Sequence, residues 1–145
     1  MTQKISHRLL QIINALPLSQ GIRILEIGCG PGVAAREIAN RIDFGFILAI
    51  DRSAKAIEQA MSNSQSEINS GKLKFVHARI EELVWHNTEE PFDIAFAIRV
   101  GALDGRHPEM EQAALRNIRR CLKKDGKLFI DGGNPLLDIS HKLNF

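Results

Sequence analysis

The densest chemistry in the sequence lies in Ile24-Leu25-Glu26-Ile27-Gly28-Cys29-Gly30-Pro31-Gly32, an apolar run carrying one carboxylate that passes straight into alternating glycines. A strand followed by such a turn and then a helix is a ligand cradle. Residues without Cβ let a flat or bulky molecule lie against the main chain, where the free amides of a helix N-terminus favour polar or anionic groups. Asp51 ends the next apolar run, Leu48-Ala49-Ile50, 21 positions beyond Gly30. A carboxylate at that place can accept both hydroxyls of a ribose. The same segment also offers Asp51 or Ser53 as a plain helix cap, and both assignments stay open at this point. A dinucleotide-binding turn would carry glycine or alanine three residues after its second glycine, but that position is Val33, which disfavours a nicotinamide cofactor.

These residues need a scaffold that brings strand ends together, and the pattern of the chain supplies one. Short branched apolar runs at 22–27, 46–50, 73–77, 92–98 and 127–130 alternate with longer amphipathic stretches, as repeated strand and helix units require. Helices are expected over Val33 to Arg41, Ala54 to Met61 and from Pro108 through Leu122, the last closed by Gly126 as a C-terminal cap. Ile5, Leu9, Ile12, Ile13 and Leu16 mark a further helix ahead of Pro17, so residues 1–20 read as a capping segment. Right-handed crossovers then give an α/β, doubly wound, mostly parallel sheet of about five strands with helices on both faces. Its ligand crevice lies beyond the carboxyl ends, in loops 28–32, 51–53, 78–86, 98–107 and 131–135.

Composition narrows the function classes. With 145 residues, one domain spanning 1–145 is the expectation. A balance of 19 basic against 17 acidic side chains argues against a protein built to grip nucleic-acid phosphates. No apolar run is long enough to span a membrane, and the start lacks a secretory signal, so the reading is cytoplasmic. Cys29 and Cys121 are too far apart for a metal knuckle, and the five histidines show no ligand spacing, so no metal is expected. Cys29 has no adjacent base and reads as filler.

Taken in order, these motifs resemble those of the class I S-adenosylmethionine-dependent methyltransferases, from about Ile22 to Ile130. The resemblance implies a Rossmann-like sheet of strand order 3-2-1-4-5 and S-adenosylmethionine as cofactor. In that family the Glu-x-Gly-x-Gly-x-Gly turn surrounds the methionine part, matched by Glu26, Gly28, Gly30 and Gly32. The acid after the second strand holds the ribose, matched by Asp51 with Arg52 beside it. Phe92-Asp93-Ile94-Ala95-Phe96-Ala97 looks like the fourth strand, and at its end Ala97 is similar to the position whose carbonyl meets the cofactor's amino group. Relatives that carry Gly-Asp-Ala-Glu after the third strand use its aspartate for adenine. Here Ala78-Arg79-Ile80-Glu81 stands instead, leaving the Ile80 amide and Glu81 or Glu82 for that contact. Trp85 is an alternative cover for the adenine face or a packing residue.

The implied reaction is in-line methyl transfer to a small-molecule acceptor, with positioning as the main catalytic device. Asp104 and His107 are the candidate bases, and Arg99 and Arg106 the candidate holders of an anionic acceptor. Residues 131–145 are too few for the strand pair that closes similar enzymes. They are expected to form one helix with Leu136, Ile139 and Leu143 on one side, leaving the fifth strand an unpaired edge. A homodimer or partner subunit through that edge or the tail follows from this. The competing functions are a non-catalytic cofactor-binding subunit and, behind it, an NAD-dependent oxidoreductase.

Overall fold

The computed structural model describes residues 4–86 and 89–144. Residues 1–3 and 145, which the sequence reading assigns to the capping segment and the tail, lie outside them. The chain opens with helix α1 (His7–Ala15), begun where the Ser6 hydroxyl accepts the Leu9 amide at 3.2 Å and closed just ahead of Pro17. Strand β1 (Arg23–Ile27) and helix α2 (Val33–Ala39) flank the glycine turn. Strand β2 (Phe46–Asp51), helices α3 (Ala54–Ser62) and α4 (Gln65–Asn69), and strand β3 (Leu73–His77) follow. A single 3₁₀ turn, Ile80–Glu82, leads to strand β4 (Phe92–Ala97) and helix α5 (Pro108–Cys121). Strands β5 (Leu122–Asp131) and β6 (Leu136–Asp138) close the sheet, and Ser140–Leu143 forms a last 3₁₀ turn.

The six strands run in the order β3-β2-β1-β4-β5-β6, parallel except for β6. Period-two alternation splits the sheet's apolar residues between two cores. Leu25, Ile27, Leu48 and Ile50 face α5 through Leu115 and Ile118, while Ile24, Ile47 and Ala49 face α1 and α2 through Ile13, Ala35 and Ile38. Because both faces are covered, these strands are apolar runs. The order reverses between β1 and β4, which opens a crevice beyond their carboxyl ends.

Three expectations need correction at the C-terminal side. Gly126 is not a helix cap: α5 ends at Cys121 and Gly126 lies inside β5. Between the pairs Phe92 with Leu122 and Ile94 with Lys127, β5 advances five residues where β4 advances two. That bulge packs Gly126 so closely that a Cβ there would stand 2.8 Å from the Cβ of Leu122. Nor is the tail one helix. Leu136–Asp138 pairs antiparallel with Phe129–Asp131, and the amide of Leu128 donates to the Ser140 hydroxyl at 2.9 Å. The fifth strand is therefore not an open edge, and the premise for a dimer through it falls. Burying Ile139 and Leu143 in the core on the α5 side holds this short sixth strand in place.

Candidate functional site

At the switch point the glycine turn is anchored to β2 by its own backbone. The amides of Gly28 and Cys29 both donate to the Ile50 carbonyl, at 2.8 and 3.0 Å. Asp51 takes the next amide, that of Gly30, on Oδ2 at 2.8 Å, and the Ser53 amide on Oδ1 at 2.8 Å. The capping work falls to Ser53, whose hydroxyl accepts the Ala56 amide at 3.1 Å. Each Asp51 oxygen keeps acceptor capacity, since an ionised carboxylate offers about four lone-pair sites. From below, the buried Arg36 guanidinium donates to the Pro31 carbonyl at 2.9 Å and to the Ser64 hydroxyl at 3.0 Å, tying the turn to the α3–α4 corner.

Two cavities meet over this turn and share Gly28 and Arg99. The first, of about 200 Å³, is bounded by Asp51, Arg52, Ile80, Glu81, Arg106 and His107 among others. Its far wall, the 3₁₀ turn, is fixed by Asn117, a buried α5 amide that donates to the Ile80 carbonyl at 2.8 Å. The second, of about 500 Å³, lies under α1 and is bounded by Lys4, Arg8, Ile12, Glu26, Gly30 and Ile98 among others. Arg99 sits between them with a left-handed backbone, φ +57°, at the end of β4. Non-glycine residues hold that conformation only where the surroundings enforce it. Here the Asp131 carboxylate accepts the Arg99 amide at 3.0 Å and Arg106 donates to its carbonyl at 2.6 Å.

Glu26 is the electrostatic anomaly of the site. Its side chain is 4% exposed, its Oε1 has no hydrogen-bond partner among the described residues, and it lines the second cavity. Burial first, and the nearby Asp51 carboxylate second, push its carboxyl up to about 8. An orphaned buried acceptor costs roughly 1–3 kcal/mol or more, so the cavity is built for a partner carrying donors or positive charge. Burial, Glu26 and Asp51 together push the Cys29 thiol well above its ordinary range, which leaves it inert as a nucleophile.

The remaining predicted residues divide clearly. Gly30 faces open space where a ligand can lie, whereas Gly32 lines neither cavity. A Cβ on Gly32 would stand 2.8 Å from Phe75 Cζ and 3.1 Å from Ala60 Cβ, so that glycine serves the packing of α2 against α3 and β3. Ala97 is buried in β4 and borders neither cavity; Ile98 and Arg99 do. Arg106 reaches the first cavity, but its Nε donates to the Asp104 carboxylate at 2.9 Å, so its charge is already engaged. That bond is the main reason the Asp104 carboxyl is held below its usual range, and Asp104 borders neither cavity. His107 lines the first cavity, its ring packed against Gly101, and does not border the second. Trp85 is a packing residue: its ring lies 5.1 Å from that of Phe92, at the end of β4 opposite the crevice.

Sequence reasoning missed Lys4, Arg8, Arg36, Asn117 and Asp131. Asn117 carried a signal, a polar side chain beside Ala114, Ile118 and Cys121 on the buried stripe of α5. Asp131 ends β5 as Asp51 ends β2. Among the described residues no cluster of His, Cys, Asp or Glu could hold a metal ion, and no helix is long and apolar enough to cross a membrane.

A family model described as a methyltransferase domain matches residues 24–126. An O-methyltransferase of Pyrenophora dematioidea is 36% identical over 121 residues, covering 83% of this chain and 43% of that protein. Among solved structures, the [4+2]-cyclase SpnF is 27% identical with a TM-score of 0.69, covering 85% of this chain and 43% of that one. A methyltransferase from Thiobacillus denitrificans, solved with S-adenosylhomocysteine, is 22% identical with a TM-score of 0.66, covering 87% of this chain and 48% of that one. The chain spans about half the length of the curated relatives it matches first.

Proposed function

The chain belongs to the methyltransferase domain family, in the class I S-adenosylmethionine-dependent group, and from that premise we propose that it transfers a methyl group to an oxygen of a small molecule. S-adenosylmethionine supplies a methyl carbon already activated by a sulfonium. The observation that carries the reading is the orphaned Glu26 carboxyl beside the glycine turn, where two cavities share Gly28 and Arg99 as wall. The first cavity suits a nucleoside: Asp51 accepts ribose hydroxyls, and the Ile80 turn, with Glu81, borders the base. The second suits an amino-acid end, whose ammonium gives Glu26 the partner it lacks, with the bare Gly30 leaving room beside it. The acceptor enters past Ile98 and Arg99, under α1.

The chain's own residues act by binding and orienting. Backbone bonds from Gly28, Cys29 and Gly30 fix the turn before any ligand arrives, so little ordering remains to be done on binding. Neither candidate base reaches the second cavity: Asp104 is held by Arg106, His107 borders the other cavity, and Glu26, which does line it, is given to the ammonium. A cytoplasmic location accords with two free, buried thiols. One other reading, chemistry other than methyl transfer on this fold, draws support from the likeness to a protein described as a [4+2]-cyclase.

Calorimetric titration with S-adenosylhomocysteine, with NADH in parallel, tests the proposal. Micromolar binding of the first and none of the second is the expected result. Binding of NADH alone, or of neither, overturns it, and turnover with oxygen acceptors separates transfer from binding alone.

A further inference from the structure

The second cavity carries a charge pattern that the cofactor does not use up. Among the described residues its wall includes three cations, Lys4, Arg8 and Arg99, and a single acid, the buried Glu26. Between them the lining is aliphatic, with Leu9, Ile12, Val33, Ala34 and Ile98. Arg8 is placed from the end of β5. Asp131 uses Oδ1 for the Arg99 amide at 3.0 Å and presents Oδ2 to Arg8 Nη2 at 3.8 Å. At that separation the pair is an ion contact outside hydrogen-bond range, and among the described residues Arg8 makes no side-chain hydrogen bond, which leaves its donors for a ligand. Arg106, by contrast, is spent on Asp104 and on the Arg99 carbonyl.

Resting on the function proposed above, the cofactor's methionine end brings an ammonium, a sulfonium and one carboxylate to this cavity. The ammonium pairs with Glu26 and the carboxylate answers one of the three wall cations. The loaded cavity is then still cationic; a neutral acceptor leaves these exposed cations to water and, for Arg8, to Asp131, whereas an anionic acceptor gains a charge-assisted contact with them.

We infer that the acceptor is an oxyanion on an apolar body, a carboxylate or an acidic phenol, and that Arg8, poised by Asp131, selects it. The acceptor oxygen forms its bond to the methyl carbon with its own electron pair. The methyl–sulfur bond breaks with its pair remaining on sulfur, giving S-adenosylhomocysteine. Since the oxygen arrives without a proton, none has to be removed, and the carboxyl of Glu26, the acid on the wall among the described residues, is left to the cofactor's ammonium.

The test is a titration of the protein, saturated with S-adenosylhomocysteine, with 4-hydroxybenzoate and with its neutral analogue 4-hydroxybenzamide. A charge-assisted contact predicts that the carboxylate binds about 10- to 100-fold tighter, and less so as salt is raised. Arg8→Gln should abolish that preference, Arg8→Lys should retain most of it, and Lys124→Gln, in the β5 bulge, should leave it intact. Arg8 is more than half exposed, so its loss should leave the thermal midpoint nearly unmoved. Equal binding of the two probes, binding of neither, or a preference that survives Arg8→Gln overturns the inference while the cofactor reading stands. Failure of S-adenosylhomocysteine itself to bind overturns both.

Discussion

The two cavities differ in how their walls are held. Around the first, three elements are fixed by short hydrogen bonds from backbone or buried side chains: Asp51 by two amides, the Ile80 turn by Asn117, the glycine turn by Ile50. The outer wall of the second rests on α1, whose polar tie to the sheet is the 3.8 Å contact between Arg8 and Asp131, and it encloses an unsatisfied carboxylate. One end of the crevice is rigid before binding; the other keeps unspent interactions for its ligands. On the proposed reading the fixed end is the nucleoside site and the adaptable end the acceptor site.

The largest effect should come from Glu26. Unfolded, its carboxyl titrates near 4.5; folded, near 8, so between these values the folded chain holds a proton that the unfolded chain has released. The stability linked to this proton is fully present below pH 4.5 and is lost as pH rises through 8, amounting to up to about 5 kcal/mol. Glu26→Gln should flatten that slope in denaturant titrations from pH 5 to 9 and weaken S-adenosylhomocysteine binding. A slope unchanged by the substitution would contradict the contrast between the cavities. In the wild-type chain, a cationic ligand end beside Glu26 should release a proton on binding near pH 7, read as a buffer-dependent binding enthalpy.

Two glycines of one turn sharpen the comparison. Gly32→Ala places a methyl against Phe75 and Ala60 at φ +86° and should cost about 2 to 4 kcal/mol of stability. Gly30→Ala meets nothing within 4 Å, so its stability loss should be about 1 kcal/mol while its ligand affinity falls about tenfold or more. Reversal of that order would show that Gly32, not Gly30, faces the ligand.

Asp51→Asn removes charge from two amide bonds and from the proposed ribose site, and should weaken S-adenosylhomocysteine by about 10- to 100-fold. Asp104→Asn and His107→Gln should be nearly silent, changing kcat by no more than about twofold. A drop of a hundredfold in kcat with KM unchanged would restore a base to the mechanism.

What was legible in the sequence was whatever local pattern determines. The glycine turn, the acid 21 residues on, and the parallel strands all follow from period, spacing and residue type. Tertiary pairing set the rest. Leu136, Ile139 and Leu143 have a helical spacing, yet Leu136–Asp138 is extended because its backbone groups find partners on β5. Gly126 resembled a helix cap because it follows a helical stripe, and only the bulge against β4 explains it. The walls of the second cavity were least visible. Arg8 reads as an ordinary exposed helix residue until Asp131 is brought beside it.

The buried Arg36 has a consequence for heat. One guanidinium nitrogen holds both the Pro31 carbonyl and the Ser64 hydroxyl, so the glycine turn and the distant α3–α4 corner share a single fastening. Warming that frays the corner also unclasps the turn, and the grip on ligand should fade in step with amide-proton exchange around Ser64, ahead of the melting of the sheet.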